Sequence, residues 1–260
     1  DRQTADRVRL ISNVRKGLRE KEFSLFYQPK ICLKSGRHVG GEGLLRWHNN
    51  DGSIVLPGLF MPKLENTTLI DPVTRYVIRK ACEDVRNHSL LPVSINFSAK
   101  NLMDVDLVQN LSRIVALYGV EPSTIEIEIT EGALIQDPAH AKVAIESLRK
   151  QGFHVSLDDF GTGYSSFQYL AHLPLSGLKI DRAFGSSLEE SALARTVLKS
   201  MIKMSHSLNL HVTVEGVETS EQHEIVSDYG ADTAQGFYYT KPLPVNQYKN
   251  WECRLNLSRA

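Results

Sequence analysis

The sequence has little of what marks several protein classes. It contains only three cysteines, Cys32, Cys82 and Cys253, among 260 residues. No pair has metal-site spacing, and an odd number gives no disulfide framework. We therefore expect reduced thiols and a cytoplasmic location, with attachment to a longer membrane-anchored protein left open. No apolar run is long enough to span a bilayer, and no signal peptide heads the chain.

An excess of charge of either sign is also lacking. Thirty Lys and Arg residues balance thirty Asp and Glu residues, so the formal net charge is zero. A protein that binds nucleic-acid polymers without sequence preference is usually basic, so we do not expect that function. An anionic ligand would have to be held locally, by a metal ion or by a few cationic side chains.

The length and a hydrophobic content of 42% suit one large α/β domain. We place this domain at residues 22–250, after a linker helix over residues 1–21 and before a tail over residues 251–260. Apolar residues at helical spacing among many charges predict the linker helix. The first residue is Asp1 rather than Met, and we expect the chain to be part of a longer protein.

Strands and helices alternate along most of the chain. A hairpin with strands at 23–29 and 39–47 is followed by six strand–helix units, which gives eight predicted strands. This pattern predicts a TIM-like (β/α)8 barrel. A tight hairpin turn joins only antiparallel neighbours, so the first strand should run against the rest. The competing fold is an open doubly wound sheet, but neither G-x-G-x-x-G nor a Walker A motif is present.

Two adjacent carboxylates, Asp158 and Asp159, follow a buried strand and precede Gly161 and Gly163. A solvated turn at a strand end is the simplest interpretation of such a pair. Two ionised carboxylates side by side are costly, however, unless a cation lies near them. The glycines allow a tight turn and a close approach of the backbone to a ligand.

Polar residues end every predicted strand from the third to the eighth. They are Asn96, Glu128, Asp158 with Asp159, Lys179, Glu215 and Gln235, and the hairpin adds Glu42 and Arg46. In a barrel these strand ends meet at one face, where active sites of this fold lie. Five carboxylates and an amide are hard oxygen donors that suit Mg²⁺ or Mn²⁺. Two such ions could share Asp158 and activate water for phosphoester hydrolysis, while Lys179 and Arg46 supply positive charge for phosphate oxygens.

From about residue 22 to residue 246, the chain resembles the EAL family of cyclic di-GMP phosphodiesterases. The motifs that carry the resemblance are Tyr27-Gln28-Pro29, Glu42-Gly43-Leu44-Leu45-Arg46-Trp47, Asn96-Phe97-Ser98, Glu128-Ile129-Thr130-Glu131, Asp158 through Ser166, Lys179-Ile180-Asp181-Arg182, Glu215-Gly216-Val217-Glu218 and Gln235-Gly236-Phe237. The resemblance implies hydrolysis of cyclic di-GMP to linear pGpG. It also implies a homodimer and fusion to an upstream sensory or cyclase domain.

The resemblance further implies roles for single residues. One metal would be held by Glu42, Asn96, Glu128 and Asp158, and the second by Asp158, Asp159 and Glu215. Lys179 is similar to the family lysine near the attacking water, with Glu215 as the alternative general base. Glu131 is similar to the family glutamate that steadies the loop after Asp159, a loop associated with dimerisation. The expected contacts to substrate or water come from Gln28, Arg46, Asp181 and Gln235.

Three alternative functions are weighed against the hydrolase. One is a catalytically silent receptor for cyclic di-GMP, although such family members typically lose metal ligands that are all present here. Another is a protein-interaction module with a vestigial site. The third is a barrel enzyme that uses Lys179 as a base with one Mg²⁺, which the doubled Asp158-Asp159 disfavours. The motif from Glu42 to Trp47 departs from the family at Gly43, where the family has Ala, and we expect a modest effect on the rigidity of Glu42.

Overall fold

A computed structural model describes residues 2–49, 51–65, 67–161, 167–185 and 188–251. Strands in these residues belong to one sheet. They are β1 Phe23–Cys32, β2 His38–His48, β3 Ile54–Val55, β4 Val93–Phe97, β5 Ile125–Thr130, β6 His154–Phe160, β7 Gly177–Ile180, β8 His211–Val214, β9 Thr233–Ala234 and β10 Leu243–Pro244.

Helices cover the outside of the sheet and both ends of the chain's described part. They are α1 Arg2–Glu20, α2 Pro57–Leu64, α3 Ile70–His88, α4 Ala99–Met103, α5 Val105–Leu117, α6 Glu131–Gln136, α7 Pro138–Lys150, α8 Phe167–Leu170, α9 Arg182–Gly185, α10 Ala192–Ser207, α11 Ser220–Asp228 and α12 Val245–Tyr248. Within the described ranges, none of the helices combines the length and the apolar character needed to cross a bilayer. The predicted tail falls almost wholly on residues 252–260, which lie outside those ranges.

Eight of the strands close into a barrel. The ring runs β1-β2-β4-β5-β6-β7-β8-β9 and returns to β1, while β3 and β10 extend the sheet beside β2 and β1. β1 is antiparallel to both of its ring neighbours, and the other neighbouring pairs in the ring are parallel. The predicted (β/α)8 barrel with a reversed first strand is confirmed.

The inside of the barrel is polar, whereas (β/α)8 barrels usually fill it with branched apolar side chains. Side chains that face inward include Lys30, Glu128, Ser156 and Lys179, and all four residues are buried. The outward-facing residues of the same strands, such as Ile127 beside Glu128, join the apolar core under the helices. The period-2 alternation of strands separates the two environments, so the core lies around the barrel and the charge lies within it.

A break in the helical structure separates α2 from α3. α2 ends at Leu64, and α3 begins at Ile70. Between them the Thr67 hydroxyl donates a hydrogen bond to the Leu64 carbonyl (2.8 Å) and accepts one from the Leu69 N–H (3.1 Å). Such local side-chain bonding competes with continuation of a helix, which explains the break.

Candidate metal centre at the barrel mouth

The carboxyl ends of the parallel strands bring most of the predicted site residues together. Glu42 lies on β2, Asn96 on β4, Glu128 on β5, Asp158 and Asp159 on β6, and Lys179 on β7, while Glu215 and Gln235 directly follow β8 and β9. The parallel register pairs Asn96 with Glu128. Asn96 is exposed, whereas its register partner Glu128 is fully buried.

Lys179 lies at the centre of the acidic cluster and is 1% exposed. Its Nζ is 2.7 Å from Glu128 Oε2, 2.7 Å from Glu215 Oε1, 3.0 Å from Asp158 Oδ1 and 3.3 Å from Glu42 Oε2. Burial on its own would lower the pKa of Lys179, but the surrounding carboxylates hold it well above its ordinary value. One ammonium group therefore forms ion pairs with four carboxylates, and the cluster keeps an excess of negative charge.

The excess charge shows in the acid–base properties of the carboxyl groups. Burial, together with the neighbouring Glu128, Glu215 and Glu42, raises the pKa of Asp158 well above its ordinary value, although Lys179 opposes this. Burial also raises the pKa of Glu215 to about 7. A bound cation is most favourable where neighbouring carboxylates raise one another's pKa, because the cation offsets their repulsion.

Two sets of three carboxylates have the proximity that a metal ion requires. Ligand oxygens of Glu42, Glu128 and Asp158 lie within 4.8 Å of one another, and so do those of Asp158, Asp159 and Glu215. Asp158 belongs to both sets. All the donors are carboxylate oxygens, which Mg²⁺ and Mn²⁺ prefer over soft ligands. The cluster could thus hold metal ions, and its shared member suits a pair of them.

The Gln235 side-chain amide lies between the two carboxylate sets, and its nitrogen and oxygen differ in their hydrogen bonding. Its Nε2 donates to Glu42 Oε2 (2.7 Å) and to Glu215 Oε1 (2.8 Å). Its Oε1 is buried and has no hydrogen-bond partner among the described residues. A buried amide oxygen without a partner costs about 1–3 kcal/mol, so a bound water or cation there would remove a real penalty.

A distortion of β6 places Asp159 beside Asp158. Successive residues of a regular strand face opposite sides of the sheet. Here the pairing of β6 with β7 shifts between Leu157 and Phe160, and Asp159 has a left-handed backbone with φ of 55°. The Asp159 N–H donates to Asp158 Oδ1 at 3.0 Å. Asp is one of the few residues that tolerate this conformation, and the irregularity turns both carboxylates toward the mouth.

The remaining predicted residues surround the cluster. Gln28 is buried on β1, opposite Glu42, and its Nε2 lies 3.4 Å from the Thr240 carbonyl. Arg46 is buried on β2, and its guanidinium lies 5.4 Å from the centre of the Phe26 ring. Burial lowers the pKa of Arg46. Neither side chain is among the groups that contact Lys179.

Asp181 and Glu131 lie at the starts of helices that follow strands. Asp181 comes directly after β7, and its Oδ1 accepts from the Ala183 N–H at 2.8 Å. Burial and the nearby Asp181 raise the pKa of Asp159. Glu131 is the first residue of α6 and is 3% exposed. The loop that Glu131 is predicted to steady includes residues 162–166, which lie outside the described residues.

A cavity of about 490 Å³ opens beside the cluster and shares Asn96 with it. Its other walls come from the middle of β2, the end of β5 and the helices α2, α4 and α6, and they include Pro57, Met61, Thr130 and Gln136. The cavity is of the size that binds small molecules in proteins. A ligand in it would have one end next to the carboxylates.

Three polar residues deeper in the barrel, Lys30, Glu126 and Ser156, are not among the strand-end residues predicted from the sequence. Lys30 Nζ lies 2.8 Å from Glu126 Oε2 and 2.9 Å from Glu128 Oε1. Glu126 also pairs with the Ser156 hydroxyl. The signal in the sequence is the Ile-Glu-Ile-Glu-Ile alternation of β5, which puts Glu126 on the same face as Glu128.

The fold and the site define a class of protein, a closed (β/α)8 barrel with an acidic, potentially metal-binding cluster at the carboxyl ends of its strands. The sequence pattern of the EAL domain matches residues 11–242, so this chain belongs to the EAL domain family. The predicted family is confirmed.

Known relatives agree with this assignment. The chain is 34% identical over 247 residues to the bifunctional diguanylate cyclase/cyclic di-GMP phosphodiesterase MucR of Pseudomonas aeruginosa, covering 93% of this chain and 36% of MucR. It is 36% identical over 238 residues to PdeB of Escherichia coli, described as a probable cyclic di-GMP phosphodiesterase, covering 90% of this chain and 45% of PdeB. The chain thus spans less than half the length of either relative.

A solved structure gives the same result for the fold. The phosphodiesterase part of MucR in complex with cyclic di-GMP superimposes with a TM-score of 0.87 at 34% sequence identity. The match covers 92% of this chain and 99% of that one. The barrel described above is therefore one that, in a relative, binds this nucleotide.

Proposed function

We propose that this chain is a metal-dependent phosphodiesterase that hydrolyses cyclic di-GMP to linear pGpG. The single observation that carries the proposal is the pair of carboxylate sets that share Asp158 at the barrel mouth. The named activities of MucR and PdeB, and the nucleotide bound in the MucR structure, support the choice of substrate.

The ligands of the first ion would be Glu42, Asn96, Glu128 and Asp158, and those of the second Asp158, Asp159 and Glu215. Mg²⁺ and Mn²⁺ are the ions that this all-oxygen donor set favours. When bound, a pair of such ions activates a water molecule and stabilises the leaving oxygen in phosphoester hydrolysis. The exposed position of Asn96 leaves the first set open toward the neighbouring cavity.

Side chains of the chain supply the remaining functions. Lys179 brings a positive charge among the carboxylates, and it lies 2.7 Å from Glu215. Lys179, whose pKa is raised so that it stays protonated, would orient the attacking water, and Glu215, whose pKa is raised to about 7, would accept the proton of that water. Gln235 holds Glu42 and Glu215 together and offers its buried Oε1 to water. Arg46, Gln28 and Asp181 would contact the substrate, and Glu131 would steady the loop that follows Asp159.

The test is incubation with cyclic di-GMP and Mg²⁺ or Mn²⁺, followed by chromatography for pGpG. We expect turnover that EDTA abolishes, and no turnover in Asp158→Asn. Exposed Asp228→Asn, at the end of α11, is the matched control and should keep wild-type activity. Full turnover by Asp158→Asn would contradict the role of Asp158 as a shared ligand. Tight nucleotide binding without hydrolysis would favour a receptor instead.

The wider setting is part of the same proposal. It includes a cytoplasmic homodimer and attachment to an upstream sensory or cyclase domain. The attachment is supported by the double activity in the name of MucR and by the share of MucR that the chain covers. Mass measurement in solution, with and without cyclic di-GMP, tests the dimer.

A further inference from the structure

A second buried lysine lies beneath the acidic cluster. Lys30 projects from β1 into the barrel, and its side chain is 9% exposed. Its partners lie across the barrel on β5, since β1 and β5 are not neighbours in the ring. The Lys30 ammonium contacts Glu126 and Glu128, which are two residues apart on the same face of that strand.

The two oxygens of Glu128 have different partners. Oε1 points down to Lys30 Nζ at 2.9 Å, and Oε2 points up to Lys179 Nζ at 2.7 Å. Oε2 therefore faces the space between Glu42 and Asp158, both of which contact the same Lys179 nitrogen. Lys179 divides its contacts among four carboxylates, whereas Lys30 is committed to two.

Lys30 does not simply neutralise Glu128, because the charge of Lys30 is already balanced by Glu126. Glu126 carries the opposite charge 2.8 Å from Lys30, so the pair adds no net charge to the barrel. The Ser156 hydroxyl binds the other oxygen of Glu126 and fixes the pair from the side of β6. Glu128 therefore keeps its negative charge for the mouth while its Oε1 stays hydrogen-bonded.

We propose that Lys30 is a positioning residue, which holds Glu128 Oε1 from below so that Oε2 is presented to the metal site. This inference rests on the proposed function, because it assigns Glu128 as a metal ligand. Hydrogen bonds to the outer side of a ligand fix its orientation, and their removal typically weakens metal binding about 10- to 100-fold. Lys30 itself contacts neither substrate nor metal in this account, and it acts only through Glu128.

The primary variant is Lys30→Met/Glu126→Gln, which removes the contact and leaves the net charge of the barrel unchanged. The readout is Mn²⁺ affinity, measured by calorimetry on the substrate-free protein. We expect affinity to fall about 10- to 100-fold, with a cooperative thermal transition retained, since replacement of a buried ion pair by residues of similar volume is often neutral for stability. Affinity within about twofold of wild type would overturn the inference.

A double-mutant cycle separates positioning from a general structural effect. In a Glu128→Gln background, the same pair of substitutions should cost less than about twofold, because Lys30 then has no ligand to orient. An equal loss in both backgrounds would show that Lys30 acts elsewhere and would overturn the proposal. If Lys30→Met/Glu126→Gln does not fold, Lys30→Gln/Glu126→Gln carries the same prediction and the same cycle.

The outcomes also separate this inference from the proposed function. Tight Mn²⁺ binding by wild type with unchanged affinity in the variants defeats only the role of Lys30. If the double-mutant cycle shows that Lys30 affects Mn²⁺ affinity through Glu128, but the protein does not hydrolyse cyclic di-GMP, only the proposed activity is refuted. Absence of Mn²⁺ binding by the wild-type protein would overturn both.

Discussion

Replacement of Asp158 by Asn should stabilise the metal-free protein while destroying the proposed metal centre. The Asp158 carboxyl is buried among three other carboxylates and one ammonium group, and its pKa lies well above the ordinary value of 3.8. An acid whose pKa is raised on folding destabilises the folded state above its unfolded pKa. Asn keeps the shape and an oxygen that can accept from the Asp159 N–H, but it carries no charge.

The magnitude has an upper bound. If the folded state held Asp158 fully protonated at pH 7, the penalty would be about 1.4 kcal/mol for each pH unit above 3.8, or roughly 4 kcal/mol. Contact of the Asp158 carboxylate with Lys179 reduces this penalty, so we expect a gain in stability that is smaller than the bound. At about 2–4 °C per kcal/mol, the melting temperature should rise, by less than about 16 °C. The gain should disappear as the pH falls below the unfolded pKa of 3.8, where the folded and unfolded states both bind the proton.

Calorimetry in EDTA and in Mn²⁺ measures both halves of this prediction. Wild type should gain about 2.7 kcal/mol when Mn²⁺ is present at a hundred times its dissociation constant, and Asp158→Asn should gain much less. Exposed Asp228→Asn is the matched control and should stay within about 0.5 kcal/mol of wild type in both buffers. Lower stability of Asp158→Asn than of wild type in EDTA at pH 7 would refute this prediction, and so would equal stabilisation of both proteins by Mn²⁺.

Three further predictions concern the ion and two glycines. Ca²⁺ should support much slower hydrolysis than Mg²⁺ because its looser coordination suits the site badly, and equal rates in the chromatographic assay would contradict this. Gly161→Ala should destabilise by about 1–3 kcal/mol in urea titration, since Gly161 has φ of 100° and an added Cβ would overlap the Phe184 ring; unchanged stability would be the contrary result. Gly43→Ala should change stability by less than about 1 kcal/mol and turnover by only a few-fold, because its Cβ would lie 3.3 Å from the Ser94 carbonyl oxygen; loss of folding would refute this.

The clustering of the acidic groups could be predicted from the sequence because it follows from the geometry of the barrel. Once eight strands are recognised, parallel packing forces the residues at their carboxyl ends to one mouth, whatever their separation along the chain. Glu42 and Gln235 are 193 residues apart, yet their side chains are hydrogen-bonded. No knowledge of loop structure is needed for this step.

The arrangement of Asp159 could not be predicted in the same way. Strict alternation would put Asp158 and Asp159 on opposite faces of the sheet, so their joint presence at the mouth depends on a strand irregularity. A single left-handed residue produces it, and only the neighbouring strand shows where it falls.

Lys30 was missed because the predicted strand stops at Pro29. Proline lacks the N–H that a strand interior uses, so it usually marks an edge or an end. In the structure β1 continues through Pro29 to Cys32, and Lys30 is thereby carried inside the barrel. The two partners of Lys30, Glu126 and Glu128, lie 96 and 98 positions away, and no local pattern indicates these contacts.

Short helices after the strands were also missed. α4 has 5 residues and α6 has 6, which is too short to show helical periodicity. Ser98 begins α4 with a reciprocal cap, in which its hydroxyl accepts from the Asn101 N–H and the Asn101 side chain bonds the Ser98 N–H. The cap motif with Asn in place of Glu or Gln is a weaker sequence signal.

Anomalous scattering from a crystal grown with Mn²⁺ would locate the proposed metal ions. We expect two peaks about 3.5–4 Å apart, one bounded by Glu42, Glu128 and Asp158 and the other by Asp158, Asp159 and Glu215. Lys179 should no longer contact all four carboxylates at once. A map with no peak among these oxygens, at a Mn²⁺ concentration that supports hydrolysis, would contradict the proposed metal centre.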